Sequence, residues 1–261
     1  MRTIAITRAV SASINDCELT HAARIAIDVA LAREQHRAYE SCLAGLGCEV
    51  RPIPADDRYP DAVFIEDTAI VLDELAILTR PGADSRRGEV DAVADVLRDY
   101  RALARIDAPG TIDGGDVLRL DRAIYAGRTP RTNDRGIDQL REIVTPYGYS
   151  VTAVPVDGCL HLKSAVTRVA GDALLINRDW VSPTPFSGWR LIDVDEAEPA
   201  GANALLIGES VIYPEELVRT GRRLEAQGID VRRVPASELA KAEGGVTCCS
   251  LIVARQDPVQ F

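Results

Sequence analysis

No stretch of the 261-residue sequence approaches the roughly 18 uninterrupted apolar residues of a membrane span. The opening MRTIAITRAV is too short and too mixed for a secretion signal. There is no Pro- or Ser-rich linker and no low-complexity run. Basic residues are the minority, 30 against 40 acidic, and the net charge of −10 argues against binding along a phosphate backbone. A local basic pocket for a small anion remains open. The six cysteines (Cys17, Cys42, Cys48, Cys159, Cys248, Cys249) include no C-x-x-C pair, which disfavours a structural zinc site. They read as reduced thiols of a cytoplasmic protein, at least one of them free to act as a nucleophile. Histidine is scarce, with only His21, His36 and His161, so the search for a general base is short. What is present is ordinary: 46% hydrophobic and 27% charged residues describe a folded chain able to bury a core. The expectation is one domain over residues 1–261, with neither a nucleic-acid nor a membrane partner.

The chain repeats itself. Strand-like apolar runs recur in AVFIEDTAIVLD, GTIDGGDVLRLD, CLHLKSAVTRVA, NALLIGESVIY and GVTCCSLIVAR. With Glu66, Asp113, His161, Asn203 and Cys248 as markers, the spacings are 47, 48, 42 and 45 residues. A near-constant period of that size marks propeller-like or solenoid architecture. Each period reads strand–strand–helix–strand. GEVDAVADVLRDY carries Val90, Val93, Val96 and Leu97 at helical spacing. NDRGIDQLREIVTPYG has Asn133 as its cap and stops at Pro146 and Gly148. PEELVRTGRRLEAQG opens with Pro214 and closes at Gly228. The early helix ALAREQHRAYESCLAGLG precedes the strand CEVRPIP, and the segment after His161, with Pro183 and Pro185, shows no clear helix. The last strand, CSLIVAR, has no helix after it and is free to pair with the first, TIAITR. Five units then surround an axis, and the markers converge at one place.

Those markers carry chemistry. A free cysteine titrates near 8.5 and needs help to become a thiolate at neutral pH. Only His161 stands at a repeat-equivalent position; His21 lies in an N-terminal loop, and His36, between Gln35 and Arg37, reads as solvated. Cys248, His161 and a carboxylate make a Cys/His/acid arrangement. Against this stands the commonest fate of a free cysteine, that of a small buried hydrophobe. Side-chain alternation along a strand sends Cys249 to the opposite face. FIEDTA sets Glu66 and Asp67 inside an apolar strand, where carboxylates need a cationic ligand or internal arginine partners. In IDGGDV, Asp113 and Asp116 flank two glycines that allow close backbone approach. The loops GADSRRGE and RTPRTND offer Arg86, Arg87 and Arg131 as clamps for a carboxylate, or as ordinary surface arginines.

FIEDTAIV, LTRPGADSRRGEV, IDGGDVL, RTNDRG, LHLKS and GGVTCCS, with TRAVS and ELTHA upstream, are similar in order to the guanidine-modifying (amidinotransferase) superfamily. Within it the chain resembles the dimethylarginine dimethylaminohydrolase family, over nearly its whole length. The resemblance implies an α/β fold, a five-bladed propeller of strand–strand–helix–strand repeats around a central active site. It implies hydrolysis of asymmetric dimethylarginine and monomethylarginine to citrulline and dimethylamine or methylamine, through a covalent S-thiouronium intermediate. No cofactor and no metal are implied; the partner is a small methylated arginine, and the protein is a monomer or homodimer. By the same resemblance Cys248 is the nucleophile, His161 the general acid/base and Asp113 the acid that orients it, with Asp116 as the alternative. Glu66 and Asp67 hold the guanidinium, and Arg86 and Arg131 clamp the α-carboxylate. Leu19 sits on a mobile lid, and Asp61 and the backbone near Ala242 lie at the amino-acid end.

One departure bears on substrate. Arginine deiminases carry His-x-Asp where this chain has His161-Leu162-Lys163. A dimethylated nitrogen has no N–H left to satisfy a second carboxylate. An unpaired buried charge there would cost about 3–5 kcal/mol, so its loss fits a methylated substrate. Three other readings compete: arginine deiminase or another guanidine hydrolase, an amidino transferase with an amine acceptor, and a non-catalytic binding module on the same fold.

Overall fold

The computed structural model describes residues 3–254. Its strands fall into five three-stranded sheets. The first holds β1 (Thr3–Arg8) and β2 (Cys48–Ile53); the second β3 (Ala69–Val71), β4 (Leu75–Leu78) and β5 (Ala102–Arg105). The third holds β6 (Val117–Leu120), β7 (Ala123–Arg128) and β8 (Ser150–Pro155). The fourth holds β9 (Val166–Arg168), β10 (Ala173–Ile176) and β11 (Arg190–Asp193), and the fifth β12 (Leu205–Ile207), β13 (Ser210–Pro214) and β14 (Asp230–Val234). The last strand, β15 (Leu251–Ala254), returns to the first sheet and pairs antiparallel with β1, from Thr3 opposite Ala254 to Ile6 opposite Leu251. This pairing closes the ring, as the lack of a helix after the last strand predicts. The chain has the five-bladed propeller fold.

In each blade the middle strand pairs antiparallel with one neighbour and parallel with the other. A parallel pair needs a crossover, usually a helix. The helices that supply it are α1 (Val29–Gly45), α2 (Val90–Leu97), α3 (Asp134–Val144) and, in the fifth blade, α5 (Val218–Ala226). In the fourth blade the crossover holds only a single 3₁₀ turn at Thr184–Phe186, as its prolines dictate. Two short helices, α4 (Leu162–Ala165) and α6 (Ser237–Ala240), lie outside this scheme. Five separate hydrophobic clusters fill the joints between successive blades, so each blade is held by its two neighbours. No helix among the described residues is long and apolar enough to cross a membrane.

Several expectations need correction. Glu66 and Asp67 lie in a 3₁₀ turn, Ile65–Thr68, just before β3, not inside a strand. Cys248 and Cys249 also lie in a turn that precedes their strand, so strand alternation does not govern Cys249; its thiol instead points at the Gly245 carbonyl, 3.5 Å away. The helix expected from Pro214 begins at Val218, because Pro214 is the last residue of β13. His36 is buried, not solvated: it follows Ala32 by one turn and precedes Tyr39 and Leu43 on the stripe that α1 turns to the core.

The Asn133 cap is present, its side chain accepting the Gly136 N–H at 2.8 Å and also the Thr111 N–H at 3.1 Å. Asn133→Ala should destabilise the protein by about 0.5–2 kcal/mol, toward the upper end because two N–H groups lose their acceptor. Urea unfolding would measure it, and no shift in the midpoint would mean that water replaces the cap without loss.

Candidate active site

The short turns that open the five blades meet at the axis and hydrogen-bond to one another. The Gly115 N–H donates to Asp67 Oδ1 (2.9 Å), and the Leu162 N–H to Asp116 Oδ1 (3.0 Å). Asn203 Nδ2 donates to the Lys163 carbonyl (3.2 Å) and to Thr247 Oγ1 (2.9 Å). The Glu66 N–H donates to the Cys248 carbonyl (3.1 Å), which completes the circuit. The glycines of IDGGDV are needed for this closeness. A Cβ on Gly114 would fall on the Glu66 carbonyl, and one on Gly115 would stand 2.6 Å from His161 Nδ1.

On one side of this hub a small cavity is lined by Asp61, Phe64, Asp67, Arg86, Arg131, His161, Ala242 and Cys248, together with Glu18, Leu160, Glu243 and Gly244. His161 opens α4, and its Nε2 lies 3.0 Å from Asp113 Oδ2. Its Nδ1 lies 3.8 Å from Asp67 Oδ1. Asp113 stands behind the ring and is fully buried; its other oxygen accepts the Gly82 N–H at 2.8 Å. Asp116 does not touch the ring. It accepts the hydroxyls of Thr129 and Thr132, each at 2.6 Å, and so anchors the backbone beside His161. Arg86 is buried and engaged on all its nitrogens: Nη1 on Asp67 Oδ2 (2.5 Å), Nε and Nη2 on Glu89, and Nη2 also on the Asp61 and Phe64 carbonyls. Arg131 is the freer cation, with Nη1 at 3.7 Å from Asp113 Oδ2.

Two candidates stand elsewhere. Leu19 is half-buried against the first core cluster and does not line the cavity; its neighbour Glu18 does, with its N–H on both Asp61 carboxylate oxygens (3.2 and 3.1 Å). Glu66 lies on the axial side of the hub. There Lys163, one of only two lysines in the chain, donates to Glu66 Oε1 (2.5 Å), and Thr247 to Oε2 (2.9 Å). Sequence reasoning misses this pair, and it misses Glu89 and Glu243. Only Glu89 carries a signal, its i,i+3 spacing from Arg86.

Burial and charge set the protonation states. Burial pushes the Cys248 thiol up, and the negative charges of Glu66 and Asp67 push it further, to about 12. Burial works against a charged His161, but the Asp67 charge, the Asp113 hydrogen bond and the Asp116 charge outweigh it and raise the imidazole to about 9. Asp67 is buried too, yet His161 and Arg86 hold its carboxyl down at about 2. Burial lifts Asp116 to about 6. At neutral pH the site therefore holds an imidazolium beside a neutral thiol. Asp67, Asp113 and His161 also form a group whose ligand atoms lie within 4.8 Å of one another, but each already has a protein partner and the Cys248 sulfur is not among them.

Residues 4–183 match the sequence profile of the family described as N,N dimethylarginine dimethylhydrolase, eukaryotic, and residues 186–255 match that of arginine deiminase. A protein of Streptomyces coelicolor named N(G),N(G)-dimethylarginine dimethylaminohydrolase is 38% identical over 249 residues, 95% of either chain. The chain belongs to the dimethylarginine dimethylaminohydrolase family. A family member of the same name from Pseudomonas aeruginosa is 36% identical over 226 residues, 86% of this chain and 89% of its own. A solved structure of the Pseudomonas aeruginosa dimethylarginine dimethylaminohydrolase, a cysteine-to-serine mutant complexed with citrulline, superposes with a TM-score of 0.93 at 34% identity. It covers 97% of this chain and 99% of that one. An arginine dihydrolase domain from cyanobacteria shares the fold at a TM-score of 0.86 and 20% identity.

Because Cys248 rests as a thiol, its alkylation by iodoacetamide in the absence of substrate should keep accelerating as pH rises from 6 to 10. A plateau below pH 7 would mean a preformed thiolate instead. Gly115→Ala should displace the His161 ring and lower turnover about 100-fold, the order expected of a small misplacement of a reacting group, with the fold intact by circular dichroism.

Proposed function

We propose that this chain hydrolyses Nω-methylated arginine, asymmetric dimethylarginine and monomethylarginine, to citrulline and dimethylamine or methylamine. Cys248 is the nucleophile, His161 the general acid/base and Asp113 the residue that orients it. The observation that carries the reading is a buried thiol, held up first by its burial and then by the charges of Glu66 and Asp67, in one cavity with a histidine held by an aspartate. That is an arrangement completed by a planar cation. Asp67 and Glu66 supply the negative field for the guanidinium. Arg131, with Arg86 behind it, faces the α-carboxylate, and Asp61 and the backbone at Ala242 serve the amino-acid end beneath the loop that carries Leu19.

The chemistry follows from the charges. A guanidinium entering beside Asp67 offsets the carboxylate charges that add to burial in holding the thiol up, so the Cys248 proton passes to solvent water only when substrate is present, His161 already carrying its own. The thiolate then attacks the central carbon of the guanidinium. The His161 imidazolium gives its proton to the departing methylated amine, and a covalent thiouronium remains on the sulfur. The neutral imidazole next takes a proton from water, the hydroxide adds to the thiouronium carbon, and the carbon–sulfur bond breaks as the adduct's hydroxyl proton passes to the departing sulfur, releasing citrulline and restoring the thiol and the imidazolium. Splitting one hard displacement into two easier steps is the gain of covalent catalysis.

Lys163 supports a methylated substrate over free arginine. Its ammonium is tied to Glu66, so no second carboxylate stands at that position to meet an N–H that a dimethylated nitrogen lacks. The test is citrulline formation from asymmetric dimethylarginine, monomethylarginine, arginine and agmatine. We expect turnover of the methylated substrates alone, none with Cys248→Ser, and at least a 100-fold loss with Asp113→Asn at unchanged thiol labelling. Turnover of free arginine at the same rate would move the chain to the deiminase reaction, and activity retained by Cys248→Ser would remove the nucleophile assignment.

A further inference from the structure

The cavity is crossed by a strap. Its free room is about 10 Å³, space for roughly one water and far less than a substrate the length of arginine. The strap is the exposed loop between the 3₁₀ turn Ile14–Asp16 and α1. It is held at two ends. On one side the Glu18 N–H rests on the Asp61 carboxylate, and Ser85 Oγ donates to Glu18 Oε1 at 2.6 Å. On the other side three consecutive backbone N–H groups converge on one carboxylate, that of Glu243. Thr20 donates to Oε2 at 2.8 Å, and His21 and Ala22 each donate to Oε1 at 2.6 Å. Three successive amides aimed at one anion form a nest, an arrangement that binds a carboxylate well and lets it go without disturbing a core. The loop side of this contact is exposed from Thr20 to Ala26, so hydrogen bonds rather than packing fasten this end: the three to Glu243, with single ones from Arg131 Nη2 to Thr20 Oγ1 (3.4 Å) and from Lys241 Nζ to the Ala26 carbonyl (3.2 Å).

Glu243 is also unusual in its backbone. Its φ is +58°, a left-handed conformation that glutamate rarely adopts, although Gly244 follows it directly. A glycine at 243 would hold that conformation with less strain. A glutamate there sacrifices backbone ease for what its side chain reaches, and strain of this kind gathers at working parts of a protein. Glu243 itself lines the cavity beside Ala242 and Gly244, five residues before Cys248.

We propose that Glu243 is a positioning residue for this enzyme: its carboxylate latches residues 20–22 over the site, and the loop must leave that latch to admit substrate and return to it to enclose the guanidinium. The inference rests on the hydrolase reading for its kinetic consequence, but its structural half stands apart from it. Removing the latch leaves the enclosed complex less favoured, while the groups that carry out the chemistry keep their places.

The experiment compares the parent with Glu243→Gly and Glu243→Gln. Hydrogen exchange of the peptide spanning residues 18–27 reads the latch directly, with or without activity. The Thr20, His21 and Ala22 amides should exchange at least 10-fold faster in both variants. Glu243→Gly should melt no lower than the parent, because it relieves the left-handed strain. With asymmetric dimethylarginine the KM should rise at least fivefold and kcat stay within threefold, and Glu243→Asp should recover part of the KM. Unchanged exchange would overturn the latch itself. Faster exchange with KM and kcat both unaltered would deny it a role in the reaction. A fall in kcat at constant KM would make Glu243 part of the chemistry and overturn the positioning role. If the parent turns over no methylated arginine, the hydrolase reading fails, and the exchange comparison still decides the latch.

Discussion

A closed circuit of hydrogen bonds around the axis is the constraint on which the rest of this molecule depends. Each of the five opening turns donates to or accepts from the next: Asp67 from Gly115, Asp116 from Leu162, the Lys163 carbonyl from Asn203, Thr247 from Asn203, and the Cys248 carbonyl from Glu66. These turns carry the buried carboxylates of Glu66, Asp67, Asp113 and Asp116, which are stable there because each is paired or supplied with donors. The blades fix where the turns are, and the joints between blades, each filled by its own hydrophobic cluster, fix the blades. The hub then fixes the chemistry, since displacing one turn would break the contacts of two others.

The same circuit divides the hub into two sides. Toward the cavity lie the thiol, the imidazolium, Asp67 and the arginines. Toward the axis lie Glu66, Lys163 and Thr247. Glu66 serves both sides: its carboxylate is neutralised in part by Lys163, and its charge still raises the thiol. This explains why the site holds acid beside acid without coming apart. Arg86 does similar work for Asp67, with every nitrogen of its guanidinium engaged. In the proposed reaction the result is a thiol that keeps its proton until a cation arrives.

Much of this is legible in the order of residues. The period of about 45 residues exposes the blades, because each blade is one supersecondary unit rebuilt from the same pattern. The markers Glu66, Asp113, His161, Asn203 and Cys248 are equivalent, each in or beside the turn that precedes an inner strand. Glu66 and Asp67 mislead in local form: their apolar neighbourhood suggests a strand where a tight turn buries its own surroundings. His36 misleads in face, although the scarcity of charge on the Ala32–Tyr39–Leu43 stripe of α1 marks that side as inward. Glu243 and the pairing of Lys163 with Glu66 are harder to find because sequence neighbours announce little; the partners of Glu243 lie 221 to 223 residues away and that of Lys163 lies 97 away.

By itself, then, the chain of amino acids determined the repeat, the closing strand, the candidate nucleophile and the histidine to accompany it, since these follow from local periodicity and from the short supply of reactive side chains. Only the tertiary structure decided which of two aspartates touches the imidazole, which cations are already engaged, and that the resting sulfur keeps its proton. Those outcomes depend on charges brought within a few ångströms of one another in a buried space, where pairing and desolvation outweigh the intrinsic character of any single residue.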